Sequence, residues 1–226
     1  MLAPRTIAVL KAIVFAVALM PVARLVAGAT LFPDWLGANP AEAITRATGD
    51  WTLRFLLLTL AVTPLRKAFG WHALASFRRM LGLFAFFYGV VHLSSYVAFD
   101  HVFDVADILK DIVKRPFITV GFTCFVLMLP LAVTSTDAMV RRLGAKRWLA
   151  LHRLVYVIAP LGVLHFWWMV KADLTEPILY ASILAGLLGY RIVAKLTPRA
   201  RAAGAGTAAR SRASRPASRR PGPRRA

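Results

Sequence analysis

Cysteine and acidic residues are scarce in this sequence, and the scarcity of cysteine excludes whole classes of redox site. Cys124 is the only cysteine in 226 residues. A disulfide framework, a Cys-X-X-Cys redox pair and a cysteine-ligated iron–sulfur cluster are therefore excluded. Aspartate and glutamate together number 10, against 29 lysines and arginines, so the formal net charge is +19. No polar stretch between the apolar runs is long enough to form a soluble domain.

Apolar residues are abundant instead. Hydrophobic residues make up 58% of the chain, which is more than a soluble domain of this length can bury. Several apolar runs approach the length of about 20 residues that a helix needs to cross the hydrocarbon core of a bilayer. Hydropathy predicts an all-α membrane protein, a six-helix transmembrane bundle with spans at 8–29, 50–65, 79–99, 116–134, 148–170 and 177–196.

The charges of the connecting loops predict the orientation of these spans, because lysine and arginine favour the cytoplasmic side. The loops at 66–79 and 141–147 are basic, whereas those at 34–50 and 171–176 carry more acidic than basic residues. This alternation predicts that both termini are cytoplasmic. The third loop (AFDHVFDVADILKDIVKRP, 98–116) has mixed charge, and its amphipathic pattern predicts a short helix on the outer membrane surface.

Much of the positive charge lies at the C-terminus. Residues 199–226 contain nine arginines and no acidic residue, among many Ala, Ser, Pro and Gly. Such a composition without an apolar period is typical of disorder. We therefore predict a transmembrane domain over 1–196 and a disordered basic cytoplasmic tail over 197–226. The tail is expected to bind anionic membrane lipids, and no nucleic-acid partner is expected.

Three of the five histidines lie within predicted spans: His92 on the third, and His152 and His165 on the fifth. An ionisable side chain in a bilayer is costly and marks a functional site. Since acidic partners are almost absent from the spans, these histidines are predicted to be metal ligands. His72 and His101 fall in loops, where solvated side chains are expected.

The spacing of the three histidines predicts which of them pair. A rise of about 1.5 Å per residue puts His152 and His165 about 20 Å apart along one helix, so they cannot share a metal ion. In depth His92 differs from His165 by about 8 Å and from His152 by about 12 Å. A planar cofactor with two axial imidazoles, a heme, is therefore predicted between His92 and His165 in the outer half of the membrane. Pro160 and Gly162 are expected to distort the fifth helix between its two histidines.

The inner half of the bundle has a different residue pattern. Fourteen residues before His92, on nearly the same helical face, the residue is Arg78 and not histidine. A second heme there would have His152 as its only evident ligand. Arg78 or Arg79 would pair with heme propionates or a flavin phosphate. Alternatively, these arginines only set the topology at the start of the third helix.

Two glycines and two arginines within the spans allow more than one interpretation. Gly82 and Gly89 lie seven residues apart on the third helix and would either admit a porphyrin edge or allow close helix packing. Arg24 and Arg54 would either reach heme propionates in the outer half or extend towards the membrane surface.

Four stretches of sequence carry a family resemblance: DWTLRFLLLTLAVTPLR at 50–66, RRMLGLFAFFYGVVHLSSY at 78–96, RPFITVGF at 115–122 and LPLAVTSTDAMVRRLGAKRWLALHRLVYVIAPLGVLHFWW at 129–168. Through them the chain resembles the MsrQ (YedZ) family, the heme-binding membrane subunits of periplasmic methionine sulfoxide reductase systems. That family lies within the ferric-reductase-like transmembrane superfamily. The basic tail lies outside the resemblance.

The resemblance implies that His92, His152 and His165 are the heme ligands, since histidines of this superfamily fall on the third and fifth helices. Members with two hemes carry two histidines on each helix, and Arg78 and Arg79 depart from that pattern. One heme b is therefore implied, and a second is left open. The family is also described as binding FMN, for which this sequence offers no locating motif, and no GxGxxG element of a dinucleotide-binding domain is present.

The resemblance also implies a function. Electrons would pass from the quinone pool or a cytoplasmic flavin reductase, through heme, to a periplasmic molybdopterin-containing methionine sulfoxide reductase catalytic subunit that repairs oxidised proteins. The chain would then be an electron-transfer subunit in the bacterial inner membrane, not an enzyme by itself. One alternative is a stand-alone ferric or quinone reductase. Another is a small proton channel or transporter, although the spans lack the acidic residues that proton relays usually employ.

Overall fold

The computed structural model describes residues 3–170 and 172–196, and all regular secondary structure in this part of the chain is helical. The helices are α1 (Pro4–Thr30), α2 (Pro40–Phe69), α3 (Arg78–Ser95), α4 (Val105–Lys114), α5 (Pro116–Val133), α6 (Asp137–Leu143), α7 (Ala145–His152), α8 (Val155–Met169) and α9 (Thr175–Leu196). Short 3₁₀ turns precede α2 and α3 at Pro33–Leu36 and His72–Phe77, and a π-helical turn at Tyr96–Asp100 extends α3.

Five helical segments of the described chain are long and apolar enough to cross a membrane: Pro4–Thr30, His72–Asp100, Pro116–Val133, Ala145–Met169 and Thr175–Leu196. The shortest has 18 residues, and a helix of that size is about 27 Å long. Large apolar side chains on these segments are exposed, such as Val17 and Met20 of α1 at 56% and 63%. Such a surface suits lipid tails, which are as apolar as the side chains themselves.

The central helix of the bundle is α2. Seven of its residues are buried, more than in any other described helix: Thr48, Leu53, Phe55, Leu56, Leu57, Leu60 and Val62. It packs along α3 and also contacts α1 and α8. The second predicted span, at 50–65, lies within α2. However, α2 is not one of the five apolar segments, so the structure supports five of the six predicted spans.

A buried tyrosine fixes α1 against α3. The Tyr88 hydroxyl donates to the Ala18 carbonyl at 2.7 Å and accepts from the Val22 amide at 3.2 Å. These two backbone groups are one turn apart in α1, so the hydroxyl bridges a carbonyl and an amide that would otherwise bond to each other. The adjacent Pro21 has no N–H and makes no helical hydrogen bond of its own. His92 lies one turn after Tyr88 on the same helix.

The predicted fifth span is divided into α7 and α8 by a turn at Arg153 and Leu154. The amides of these two residues each bond to a carbonyl three residues earlier, which is the pattern of a tightened turn. The three-residue bonds at Arg153 and Leu154 mark the break, and the helix is continuous through Pro160. The sequence placed the distortion at Pro160 and Gly162, but both lie inside α8.

The amphipathic helix predicted in the third loop is present as α4. Asp104 caps its N-terminus. One carboxylate oxygen of Asp111 lies 3.1 Å from Nε2 of His101, and the other lies 3.2 Å from Nε of Arg115. On its apolar face Ile108 and Ile112 are half-buried, whereas Val105, Leu109 and Val113 are exposed. The position of α4 on a membrane surface stays a prediction.

The chain forms two compact units, of which the first ends at Leu187 and the second begins at Leu188. The histidines and arginines described below all belong to the first unit. The described part of the second unit is the end of α9. The basic tail predicted over 197–226 lies outside the described residues.

Candidate functional site

Two histidine rings meet where α3 and α8 approach their C-terminal ends. The ring centroids of His92 and His165 are 6.2 Å apart, and the ring planes are inclined at 71°. We call this pair the paired-histidine site. The structure thus brings together the two histidines that the comparison of depths had paired, and their role as ligands stays a prediction.

Each of these rings is oriented by a backbone carbonyl of another helix. Nδ1 of His92 lies 2.9 Å from the carbonyl oxygen of Thr45 on α2, and Nδ1 of His165 lies 2.7 Å from that of Phe117 on α5. A carbonyl oxygen only accepts, so in both rings Nδ1 carries the proton and donates. Nε2 is then the nitrogen with the lone pair, which is the arrangement in metal-binding histidines.

The separation of the two rings fits a single metal ion between them. An imidazole nitrogen binds a metal at about 2 Å, and the ring centre lies about 1.1 Å behind it, so two axial imidazoles have centroids about 6.3 Å apart. The observed distance between His92 and His165 is 6.2 Å. The residues present therefore fit two axial ligands of one iron.

A bare metal ion fits this site poorly. Within residues 3–170 and 172–196, no group of three or more His, Cys, Asp or Glu side chains could hold a metal ion. Two imidazoles leave at least half of the coordination positions of a metal ion unfilled. A porphyrin supplies the missing in-plane nitrogens and needs only axial ligands from the protein. The donor set of the paired-histidine site thus matches heme and not a protein-bound ion.

His152, the third histidine, lies apart from this pair at the end of α7. Its Nδ1 lies 3.0 Å from the carbonyl oxygen of Trp148, one turn earlier, and its ring stacks on the Trp148 indole with centroids 3.8 Å apart. Trp148 is itself fixed by a 2.8 Å bond from its indole nitrogen to the Thr134 carbonyl. Nε2 of His152 is buried and makes no hydrogen bond of normal geometry with the described residues, although the ring also lies near the Leu131 backbone.

The imidazole of His152 lines a cavity of about 250 Å³, which we call the His152 cavity. Its walls come from α2, α3, α5, α7 and α8, and they are mostly apolar. Arg78, Arg79 and Gly82 line it from α3. A buried nitrogen with a free lone pair is costly unless something binds it. A ligand in this cavity would meet the imidazole of His152 and the guanidinium of Arg78.

The two arginines of the His152 cavity differ in their partners. Arg79 forms an ion pair of 2.7 Å with Asp137 at the start of α6. Arg78 forms no ion pair within the part of the chain that the structure describes. Of the two candidates that the sequence offered for an anionic group, Arg78 is consequently the one with an uncommitted charge.

The two loop histidines have different surroundings. His72 is exposed at the start of its 3₁₀ turn, as expected for a loop histidine. His101 is not freely solvated, because its side chain is only 13% exposed and binds Asp111. It also packs against the Tyr96 ring with centroids 4.8 Å apart. The prediction of a solvated His101 was therefore wrong, since it overlooked the acidic residue on α4 that the loop folds back to meet.

Gly82 and Gly89 have different surroundings. A Cβ at Gly89 would meet side chains of α5 and α2 at 3.7 Å, so this buried glycine lies in a close helix contact. A Cβ at Gly82 would have only Thr59 within 4 Å, at 3.7 Å or more, and Gly82 lines the His152 cavity. Gly82 thus borders space that a planar group could use.

Arg54 is only half-buried, and its side chain contacts two helices. Its Nε donates to the Tyr180 hydroxyl at 2.8 Å, and its guanidinium lies 5.0 Å from the centre of the Trp51 ring. Asp50, one turn earlier, is 3.9 Å away. Arg24 is exposed on α1. Arg54 therefore joins α2 to α9, a role that neither sequence interpretation included.

Sequence reasoning missed the residues that orient the paired histidines. Thr45 and Phe117 act through backbone carbonyls, which every residue has, so residue type gave no indication of them. Gly49 and Gly121, one turn later on the same two helices, lie directly against the rings of His92 and His165. A glycine inside an apolar helix was the only available sign.

Comparisons with known proteins agree with this geometry. A family model described as ferric reductase like transmembrane component matches residues 48–163. The protein-methionine-sulfoxide reductase heme-binding subunit MsrQ of Herminiimonas arsenicoxydans is 57% identical over 84% of this chain and 87% of its own length. The chain belongs to the MsrQ family of ferric reductase-like transmembrane proteins.

Two further MsrQ proteins are similarly close. That of Polaromonas naphthalenivorans is 59% identical over 80% of this chain and 83% of its own length. That of Azospira oryzae is 55% identical over 85% of this chain and 82% of its own length. Family membership and the five apolar helical segments together make the chain a multi-pass protein of the bacterial inner membrane.

Proposed function

We propose that this chain is the heme-binding membrane subunit of a methionine sulfoxide reductase system, with one heme b held between His92 and His165. The observation that carries the proposal is the 6.2 Å separation of two rings whose Nδ1 atoms both bond to carbonyls. The relatives named as heme-binding subunits at 55–59% identity support it.

Heme bound at this site supplies a one-electron carrier within the bilayer. The chain itself performs three tasks around it. His92 and His165 bind it through Nε2, and the carbonyls of Thr45 and Phe117 hold the two rings in the required tautomer. Apolar side chains of the surrounding helices would limit the access of water to it, which influences the reduction potential.

The proposed topology has six spans, with α2 as the second and α7 and α8 together as the fifth. At 30 residues, α2 is about 45 Å long and exceeds the thickness of a hydrocarbon core. Basic loops alternate with less basic ones along the chain, so both termini are placed in the cytoplasm. The paired-histidine site then lies in the outer half of the membrane, and the His152 cavity in the inner half.

A second heme is proposed in the His152 cavity, with His152 as its single histidine ligand. The unpartnered, buried Nε2 supports this assignment. Arg78 would neutralise a propionate of that heme, since a guanidinium binds carboxylates strongly. FMN stays a proposed cofactor of the family, and the phosphate partner available to it here is again Arg78 or, after loss of the Asp137 pair, Arg79.

The proposed partners lie on both sides of the membrane. A periplasmic molybdopterin-containing catalytic subunit would accept electrons from the outer heme. The quinone pool or a cytoplasmic flavin reductase would reduce the inner one. In this scheme the chain is not an enzyme by itself. Residues 1–196 form the proposed heme domain, and the basic segment 197–226 is proposed to bind anionic lipid headgroups on the cytoplasmic side.

The test uses the purified full-length protein in detergent. Reduction with dithionite should produce the absorbance bands of reduced heme b. Reoxidation by methionine sulfoxide should then require the periplasmic catalytic subunit, because the substrate does not react with heme buried in the bundle. His92→Ala and His165→Ala should lose this heme. The matched control is His101→Ala, which should keep it, because His101 is also a partly buried histidine near the outer end of α3.

Three results would contradict the proposal. Absence of heme bands in the folded protein would leave the histidines without their proposed cofactor and would favour a channel or transporter. Turnover of ferric chelates or quinones at full rate without the catalytic subunit would favour a stand-alone reductase. Loss of heme from His101→Ala, to the same extent as from His92→Ala, would show that the assignment of the ligand pair is wrong.

A further inference from the structure

The two rings of the paired-histidine site rest on their neighbouring helices in the same way. His92 bonds to the carbonyl of Thr45 and lies against Gly49, four residues later on α2. His165 bonds to the carbonyl of Phe117 and lies against Gly121, four residues later on α5. Two different helices thus present the same arrangement, a carbonyl followed one turn later by a glycine.

Helix geometry explains why the glycine follows the carbonyl by four residues. The carbonyl of a helical residue points towards the C-terminus and accepts from the amide four residues later. An imidazole that shares this oxygen must lie beside the helix, over the backbone of that later residue. A Cβ there would occupy the place of the ring. A glycine at that position leaves room for an imidazole that lies against the helix and bonds to the carbonyl.

The distances at both glycines agree with this explanation. A Cβ at Gly49 would lie 3.0 Å from Cε1 and 3.2 Å from Nδ1 of His92. A Cβ at Gly121 would lie 2.7 Å from Cε1 and 2.8 Å from Nδ1 of His165, and 3.0 Å from its Nε2. The carbons would overlap the ring at Gly121 and press on it at Gly49. Either substitution must turn or displace an imidazole that is hydrogen-bonded to the backbone.

We propose that Gly49 and Gly121 are positioning residues that set the orientation of the two axial imidazoles, and with it the 71° angle between their planes. This inference rests on the proposed binding of heme by His92 and His165. The angle between axial imidazoles controls the anisotropy of a low-spin ferric heme and contributes to its reduction potential. Groups that orient the coordinating residues of a metal site commonly influence its affinity and its reduction potential.

The two glycines are expected to differ in their sensitivity. Gly121→Ala creates the shorter contacts, and His165 cannot withdraw without losing its 2.7 Å bond to Phe117. Loss of a group that orients a metal ligand typically lowers affinity about 10- to 100-fold, and we expect Gly121→Ala to fall within this range for heme retention. Gly49→Ala should lower retention less than about tenfold, while still turning the His92 ring.

Gly89→Ala is the matched control. Gly89 lies on α3 near His92 and is buried, but an added Cβ there would meet its neighbours at 3.7 Å, an ordinary contact distance. Gly186→Ala is a second control, because nothing lies within 4 Å of the added carbon. Both replace glycine by alanine inside a helix and leave the histidine rings untouched.

The experiment measures the electron paramagnetic resonance spectrum, the midpoint potentials and the heme content of the purified full-length proteins. Strongly inclined axial rings give a low-spin signal at unusually large g. Gly121→Ala and Gly49→Ala should each move this signal and the potential of the same heme, with the larger change in Gly121→Ala. Gly89→Ala and Gly186→Ala should keep both at the wild-type values.

Unchanged spectra and potentials in Gly49→Ala would overturn the inference. This variant is informative even if Gly121→Ala fails to fold, since its contacts are less severe. Equal shifts in Gly89→Ala would also overturn it, because they would reflect general helix packing. The inference and the proposed function fail in different ways. A wild-type protein without a bis-imidazole signal contradicts both. A wild-type signal that no glycine variant moves contradicts only the positioning role.

Discussion

The two ends of the bundle hold their histidines by different means. At the paired-histidine site each Nδ1 bonds to the carbonyl of a separate helix, so the orientation of His92 and His165 depends on the packing of α2, α3, α5 and α8. His152 instead bonds to Trp148 one turn earlier in its own segment and stacks on that residue's indole. The first arrangement is tertiary, and the second is almost entirely local.

The groups facing these histidines also differ. At the paired-histidine site the opposite residue is a second imidazole, which suits a metal ion with two equivalent axial ligands. Across the His152 cavity α3 offers Arg78 in place of a histidine. The proposed heme at one end of the bundle would have two histidine ligands, whereas a heme proposed at the other end would have one histidine ligand and a cation beside it. The predictions below test that difference.

His152→Ala should have the largest effect on the inner end of the bundle. Removal of the only histidine of the His152 cavity should lower heme content from two per protein to one, while the bis-imidazole signal of the paired-histidine site persists. Pyridine hemochrome assay against protein concentration measures the stoichiometry. A wild-type value of one, unchanged in His152→Ala, would mean that the inner cavity binds no heme.

Arg78→Ala should have a smaller effect on the same cavity. Loss of a charge-assisted hydrogen bond to a propionate costs about 2 kcal/mol, so retention of the inner heme should fall by more than tenfold during dilution or competition with apomyoglobin. Arg79→Ala is the control, because its guanidinium already pairs with Asp137 and is 44% exposed. An equal loss in both variants would indicate a general role for positive charge at the start of α3.

Tyr88→Phe should have the smallest effect. The lost hydroxyl bridges Ala18 and Val22, but those two backbone groups can bond to each other once it is gone. The free energy of unfolding should therefore fall by about 1 kcal/mol, with heme content unchanged at both sites. Thermal denaturation in detergent measures this. Loss of heme from the paired-histidine site would show that the anchor of α1 also determines the position of His92.

The predictable part of this structure follows from regular geometry. Apolar runs located five helical segments of membrane-spanning length, because a bilayer fixes how many helical residues are needed to cross it. The constant rise per residue allowed His92 to be matched in depth with His165 and not with His152. The amphipathic pattern of the third loop likewise predicted α4.

The rest depended on contacts between segments that are distant in sequence. Arg78 and Arg79 were equivalent in the sequence, and the placement of Asp137 by α6 distinguished them. The orienting carbonyls of Thr45 and Phe117 have no signature, because every peptide unit carries the same group. Neighbouring helices become known only when the bundle is assembled, so glycine positions alone could not identify Gly49 or Gly121.

The central claim is that one heme b lies between His92 and His165. The electron paramagnetic resonance spectrum of the oxidised protein tests it most directly, with His92→Ala, His165→Ala and His152→Ala measured alongside. The account predicts a low-spin bis-imidazole signal in the wild type that disappears in both single variants of the pair and remains in His152→Ala. A signal that survives in folded His92→Ala or His165→Ala, or that disappears in His152→Ala, would contradict the account.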